Sequence, residues 1–114
     1  MQQVEQMDPS QAQTVASTRR SQRVRMRKAV RIRWHENGTS PCHDTYTLSV
    51  SRFGCLLMSQ QDFLPGTTVL VEHGGKTMVG KVSYSLKNHD TRRVELGIGF
   101  ELDGSDFWEL QFAD

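Results

Sequence analysis

The sequence predicts an all-β fold: a six-stranded antiparallel β-barrel with a short C-terminal helical segment and a flexible basic N-terminal arm. Three observations support this prediction. Six segments after residue 28 alternate apolar and polar residues or form short apolar runs. They recur about every ten residues, and Gly, Asn and Pro turn signals separate them. Closing such strands into a barrel also removes exposed strand edges.

The N-terminal part of the chain differs from the rest in composition. Residues 1–18 are rich in Gln, Ser and Thr, with few large apolar groups, and are predicted to be disordered. The folded domain is predicted over residues 19–114. Eight basic residues and no acidic residue lie between Arg19 and Arg33, whereas six acidic residues and no Lys or Arg follow Arg93. The basic arm is expected to attract phosphate on a nucleic acid, a lipid or a nucleotide.

The first three strands are predicted over residues 29–59, and the turn signal Asn37-Gly38 separates the first from the second. Residues 29–36 (AVRIRWHE) place apolar side chains on one face and mostly basic ones on the other, as in a half-buried strand. The second strand is predicted over 44–50 (DTYTLSV). The third is predicted over 54–59 (GCLLMS), after the residues SRFG interrupt the pattern.

The remaining strands follow a loop that ends in Pro65-Gly66. The fourth is predicted over 67–73, and a tight Gly74-Gly75 hairpin leads into the fifth over 76–86. The sixth is predicted over 92–102, where every second residue is apolar.

The C-terminal segment is predicted to contain a short helical turn. Asp103 or Ser105 could cap this turn. Phe107, Trp108 and Phe112 are too apolar to remain in water, so the segment is predicted to plug one end of the barrel.

Several functional classes are not supported by the residues. The spacing of Cys42 and Cys55 is not a zinc pattern; both thiols are expected to be reduced, with Cys55 in the core. No apolar run approaches the ~20 residues of a membrane span, and no signal-peptide segment is visible, so a cytoplasmic protein is expected. Paired carboxylates, a Ser or Cys beside a suitable His, and a phosphate-binding Gly-rich loop are all missing from the sequence. We therefore expect a binding protein rather than an enzyme, without catalytic residues, metal site or cofactor.

Two motifs stand in order along the chain. RRSQR comes just before the first predicted strand, and SVSRFG leads out of the second. With the six-strand pattern, they resemble the PilZ domain family, whose members typically bind the bacterial second messenger cyclic di-GMP. The family pattern is an arginine pair, R-x-x-x-R, followed by (D/N)-x-S-x-x-G. The resemblance covers residues 19–102.

Arg19 and Arg23 match the arginine pair, Arg20 is an additional basic neighbour, and Ser51 and Gly54 match the second motif. The resemblance implies a compact dianionic ligand with two guanines. Guanidinium groups pair bidentately with phosphate or with guanine O6 and N7, so the arm is expected to close over it. Ser51 is expected to hold the turn or a phosphate, and Gly54 to allow an unusual backbone angle. The candidate ligand-binding residues are Arg19, Arg20, Arg23, Ser49, Ser51, Arg52 and Gly54.

Ser49 departs from the family pattern, which has Asp or Asn at this position. A carboxylate or amide there would accept the guanine N1 and N2 protons. A hydroxyl is shorter and cannot accept two parallel donors. The Ser49 hydroxyl is expected to weaken the affinity that comes from guanine recognition by on the order of ten- to several-hundred-fold, while the phosphate contacts would remain.

Three functions stay open at this point. The leading one is a bacterial cyclic di-GMP receptor or adaptor, in which the ligand orders the arm and changes the surface offered to an unidentified effector protein. The second is a degenerate PilZ domain that binds no nucleotide and serves as a protein–protein interaction module. The third is nucleic-acid binding through the basic arm, which lacks the interleaved exposed aromatics that stacking surfaces use.

Overall fold

The computed structural model describes residues 22–113. The predicted disordered tail at 1–18, together with Arg19 and Arg20, lies outside the described residues. Within residues 22–113 no helix is long and apolar enough to cross a membrane. The elements of this region are β1 (Arg23–Arg25), β2 (Ala29–Arg33), β3 (Cys42–Ser51), β4 (Gly54–Ser59), β5 (Thr68–His73), β6 (Lys76–Lys87), β7 (Val94–Phe100) and α1 (Ser105–Trp108).

The predicted six-stranded antiparallel barrel is confirmed. Strands β3, β2, β5, β6, β7 and β4 are neighbours in this order, and β4 pairs again with β3 to close the barrel. Strand β1 is an extra strand. It lies opposite the last residues of β3, while β2 lies opposite the first ones, so β1 and β2 follow each other along one edge of β3.

Strand β1 occupies a segment for which the sequence predicts a flexible arm. Arg23 is paired with Ser51 and Arg25 with Ser49. Val24, between the two arginines, is partly buried and packs against the core. This apolar contact and the pairing with β3 explain why these three residues form a strand despite their charge.

The chain stays attached to β3 between β1 and β2. The amide of Met26 donates to the carbonyl oxygen of Leu48. The buried Thr47 hydroxyl donates to the carbonyl oxygen of Met26 and accepts from the amide of Lys28, both at 2.8 Å. These bonds hold the irregular residues between β1 and β2 against the edge of β3, and they fix the direction in which β1 leaves the barrel.

The interior is filled by the inward-facing residues of the strands. Val30 and Ile32 of β2, and Leu96 and Ile98 of β7, are buried at alternate positions, as the sequence pattern predicts. Cys55 also lies in this core, in agreement with its predicted role. The buried hydrophobic residues are Val30, Ile32, Trp34, Val50, Cys55, Leu57, Phe63, Val69, Val71, Val82, Val94, Leu96, Ile98, Phe100, Phe107, Trp108 and Phe112.

The C-terminal segment covers the end of the barrel where β5 and β7 finish. Trp108 is fully buried there, stacked on Phe100 at 6.0 Å between ring centroids and close to His73 at 5.6 Å. Helix α1 begins at Ser105, whose amide donates to Asp103 Oδ1 at 2.8 Å. The aromatic tail therefore plugs the barrel as its composition predicts.

Candidate ligand-binding groove

A groove of about 330 Å³ lies on the outer face of the barrel, near the end that α1 covers. Five strands contribute to it, because the curved sheet from β1 through β3, β4 and β7 to β6 forms its floor and walls. Its lining consists of Arg23, Ser49, Val50, Ser51, Phe53, Gly54, Cys55, Leu56, Ser83, Tyr84, Gly97, Ile98 and Gly99.

The strand registers place the outward-facing residues of the groove in two rows, each with a flanking cation outside the groove lining: Lys81 in the first row and Arg25 in the second. In the first row Arg23 lies opposite Ser51, Ser51 opposite Gly54, Gly54 opposite Gly99, and Gly99 opposite Lys81. This row has a cation at each end and only Ser and Gly between them. A flat ligand could therefore approach the backbone closely in the middle of the row.

The second row runs beside the first, one pleat further along the strands. Arg25 lies opposite Ser49, Ser49 opposite Leu56, Leu56 opposite Gly97, and Gly97 opposite Tyr84. A β-bulge between Thr47 and Ser49 and another between Val82 and Tyr84 lie within this region. Such bulges re-aim side chains, so the register of this row depends on both of them.

Gly54 is required where β4 meets β7. A Cβ at this position would stand closer than 3.0 Å to the backbone carbonyl oxygen of Ile98. The neighbouring Ser51 hydroxyl lies 3.4 Å from the Gly54 carbonyl oxygen, at the long limit of a hydrogen bond. Ser51 thus makes only a weak bond to the turn and keeps most of its hydrogen-bonding capacity for the groove.

Tyr84 covers Gly97 on the neighbouring strand. A Cβ at Gly97 would fall within 3.0 Å of three atoms of the Tyr84 ring, so the ring occupies the space of the absent side chain. Tyr84 nevertheless remains 38% exposed. It therefore adds a partly exposed aromatic surface to the groove opposite the arginines.

Arg52 is directed toward the C-terminal segment rather than into the groove. Its Nη2 donates to the carbonyl oxygen of Phe112 at 3.0 Å, and its Nε lies 3.5 Å from Asp103 Oδ2. The pKa of Asp103 is lowered mainly by hydrogen bonds from Ser105 and to a smaller extent by the Arg52 charge. Through these contacts, Arg52 links the β3–β4 turn to the C-terminal segment.

The start of β1 is joined to the same tail. The amide of Gln22 donates to the carbonyl oxygen of Ala113 at 3.1 Å, and the Ala113 amide donates to Gln22 Oε1 at 3.3 Å. Gln22 immediately precedes Arg23 of the first row. The C-terminal segment therefore lies next to the groove on the arginine side.

Three arginines outside the groove, Arg27, Arg31 and Arg33, have partners of their own. The guanidinium of Arg27 lies 4.1 Å from the centroid of the Tyr46 ring, a cation–π contact. Arg31 pairs with Asp44 at 2.7 Å, and this pair lowers the pKa of the Asp44 carboxyl. Arg33 pairs with Glu72 at 3.1 Å.

Cys55 contributes no nucleophile to the groove. Burial raises the pKa of its thiol to about 12, so the thiolate is not formed near neutral pH. Its side chain belongs to the core beneath the groove, although the groove lining includes the residue.

The structure brings four of the seven sequence-predicted site residues to one groove: Arg23, Ser49, Ser51 and Gly54. Arg52 lies beside it in contact with the tail, and Arg19 and Arg20 lie outside the described residues. The sequence prediction missed Ser83, Tyr84, Gly97 and Gly99. Two glycines at alternate positions of a strand, both at outward positions, were the signal that could have revealed a close-approach surface.

Comparisons with known proteins support the fold. A scan against protein-family models finds no match, and a search of curated proteins finds no significant one. Among solved structures, the chain is similar to the MrkH–c-di-GMP complex from K. pneumonia, with 15% identity and a TM-score of 0.56. That alignment covers 80% of this chain and 47% of MrkH.

A second structure, of MrkH described as a c-di-GMP-dependent transcription regulatory factor, matches with 17% identity and a TM-score of 0.50. It covers 80% of this chain and 46% of that one. The two proteins share a fold. The chain spans about half the length of these neighbours.

Proposed function

We propose that this protein is a cyclic di-GMP receptor or adaptor, in which nucleotide binding in the groove changes the surface offered to a partner protein. One observation carries the proposal: Arg23, Ser49, Ser51 and Gly54, which come from three strands, line one groove on a fold shared with MrkH. MrkH has been solved in complex with c-di-GMP.

The chemistry of the groove suits a compact dianion with flat bases. Arg23 supplies a permanent charge and a planar donor group at one edge. The floor between Arg23 and Lys81 contains a Ser and two Gly residues, which leave room for a ligand against the backbone. Arg19 and Arg20 precede Arg23 by a few residues, and we propose that they close over the bound nucleotide.

The surroundings of the groove favour a small anion over a long nucleic acid. Arg31 and Arg33 are compensated by carboxylates, and Arg27 is engaged with Tyr46. The stretch that looks uniformly basic in sequence is therefore not a continuous row of uncompensated charge. Binding of a polyanion along β2 would require these ion pairs to be broken.

A second candidate is a protein–protein interaction module that binds no nucleotide. Two observations favour it: Ser49 brings a hydroxyl where the PilZ pattern has an amide or carboxylate, and an apolar surface adjoins the groove at Gly99. In this surface Val79 is 58% exposed and Leu102 is 71% exposed. The same apolar surface could receive the effector protein of a nucleotide-responsive adaptor.

Calorimetric titration with cyclic di-GMP at physiological salt tests the proposal. We expect micromolar or tighter binding by the full chain, and no binding of GTP. Arg23→Ala should abolish binding, whereas Lys87→Ala, which removes a cation at the far end of β6, should leave it unchanged. Absence of binding at high protein concentration would contradict the receptor function and favour the interaction module.

A further inference from the structure

Tyr84 is placed where it could contact the face of a base. It belongs to the second row, in which Gly97 and Leu56 lie between Tyr84 and Ser49. Because its ring covers Gly97, it leans over β7 toward the groove floor instead of standing away from the sheet. Tyr84 is 38% exposed, so part of the residue is accessible to a ligand.

An aromatic residue that covers a glycine on a neighbouring strand can also serve the sheet itself, since the ring protects the exposed backbone. The position of Tyr84 adds a second feature to this role: it lines the same groove as Arg23 and the serines. An aromatic face and a guanidinium across one groove are the two groups that hold a base by stacking and a phosphate by charge.

We infer that Tyr84 is a stacking platform for a purine base, and that the groove recognises purine cyclic dinucleotides by the face of the base more than by the guanine edge. This inference rests on the proposed function. It names the class of nucleotide accepted at that site and a residue that selects it.

Ser49, which lies in the same row as Tyr84 but on β3, supports the same conclusion. An Asp at this position would accept the two guanine protons and reject adenine, which offers a different edge. A hydroxyl can turn to donate or accept a single hydrogen bond, so it matches either purine about equally. Stacking is tolerant of sequence because every base has a π face.

The inference is tested by titrating the full chain with cyclic di-GMP and with cyclic di-AMP. The wild-type affinities for the two ligands are expected to differ by less than about tenfold. Tyr84→Leu, which keeps an apolar group over Gly97, is expected to weaken both ligands by about 5- to 150-fold, the range for loss of one stacked base. Tyr84→Phe should bind like the wild type. Tyr46→Leu, a tyrosine on β3 that does not line the groove, is the matched control and should also bind like the wild type.

The outcomes separate this inference from the function on which it rests. Binding of cyclic di-GMP with cyclic di-AMP weaker by tenfold or more, or unchanged affinity in a folded Tyr84→Leu variant, would overturn the inference and leave the receptor function standing. Failure of the wild type to bind either dinucleotide would overturn both. If Tyr84→Leu does not fold, the ratio of the two wild-type affinities decides alone.

Discussion

The backbone carbonyl oxygen of Ile98 occupies the space that a side chain on Gly54 would need. The two residues lie on neighbouring strands, since Gly54 is opposite Gly99 in the register between β4 and β7. Backbone atoms cannot move aside as the end of a flexible side chain can. The match of Gly54 to the second sequence motif therefore has a structural cause that is independent of any ligand.

Replacement of Gly54 by alanine is expected to destabilise the barrel. Overpacking typically costs about 1–3 kcal/mol, and a clash with backbone should place this variant at the upper end or beyond. Urea unfolding of Gly54→Ala measures the loss. Gly99→Ala is the matched control, because its Cβ would meet only the Ser83 hydroxyl at an ordinary 3.4 Å. Equal stability of Gly54→Ala and wild type would contradict the close approach.

Replacement of Ser49 by aspartate is expected to restore guanine recognition. The carboxylate would accept two parallel N–H donors. Arg25 of β1 lies opposite this position, and its positive charge favours the ionised form of the carboxylate. We expect the affinity for cyclic di-GMP to rise by on the order of ten- to several-hundred-fold. Ser40→Asp, which adds the same charge in an exposed loop, should leave the affinity unchanged in the same titration. A gain in both variants would indicate a nonspecific effect.

Replacement of Arg52 by alanine is expected to affect stability more than binding. It removes the bond to the Phe112 carbonyl oxygen and the contact with Asp103, and hydrogen bonds from charged groups contribute about 1.5–3 kcal/mol each. Thermal unfolding and cyclic di-GMP titration of the same preparation separate the two effects. Asp103→Asn keeps the bond to Phe112 and should lose less stability. Loss of binding by a fully stable Arg52→Ala protein would instead make Arg52 a ligand contact.

The stability of the barrel is expected to fall at mildly acidic pH because of His43. Its ring packs edge-to-face on Trp34, and its Nε2 is buried without a partner among the described residues. Burial lowers the pKa of His43 below its ordinary value of 6.5, although the nearby Asp44 charge opposes this shift. The unfolded chain then binds a proton at His43 more readily than the folded chain does. The contribution of the neutral His43 ring to the free energy of unfolding is therefore present above pH 6.5 and is lost as the pH falls below that value.

Urea unfolding at about pH 7.5 and about pH 5.5 measures this dependence. The free energy of unfolding should be smaller at the lower pH, and His43→Leu should reduce the difference. His89→Leu, at an exposed turn, is the matched control and should retain it. A wild-type free energy that does not fall between the two pH values would contradict the role of His43.

Much of the barrel follows from local patterns. Residues 54–59 were predicted as a strand with the bounds that the structure has, because turn residues delimit a short apolar run. The Gly74-Gly75 hairpin was also predictable, since both residues have positive φ, 58° and 78°, as a tight two-residue turn requires.

Strand β1 could not be predicted in the same way. It has three residues with only Val24 between charged neighbours, too short an alternation to distinguish from a basic arm. Its strand conformation depends on pairing with the end of β3, a contact that local sequence does not reveal. Tertiary pairing, rather than propensity, decides such short edge segments.

The site was predicted where it follows a linear motif and missed where it depends on register. Ser51 and Gly54 lie close in the chain and were found together. Tyr84 and Gly97 meet only through the pairing of β6 with β7 and the bulge within it. A bulge shifts every later partner by one residue, so the Tyr84–Gly97 pair could not be derived from periodicity.

The hydrogen bonds between Gln22 and Ala113 join residues that are 91 positions apart in the chain. During synthesis, Arg23 leaves the ribosome long before β7 and the tail exist to complete the groove. Strand pairings across such separations slow folding, to milliseconds or longer in barrels of this kind. Until β7 and the tail have been synthesised, Arg23 lacks the strands that complete the groove, so the groove can accept a ligand only once the barrel has closed.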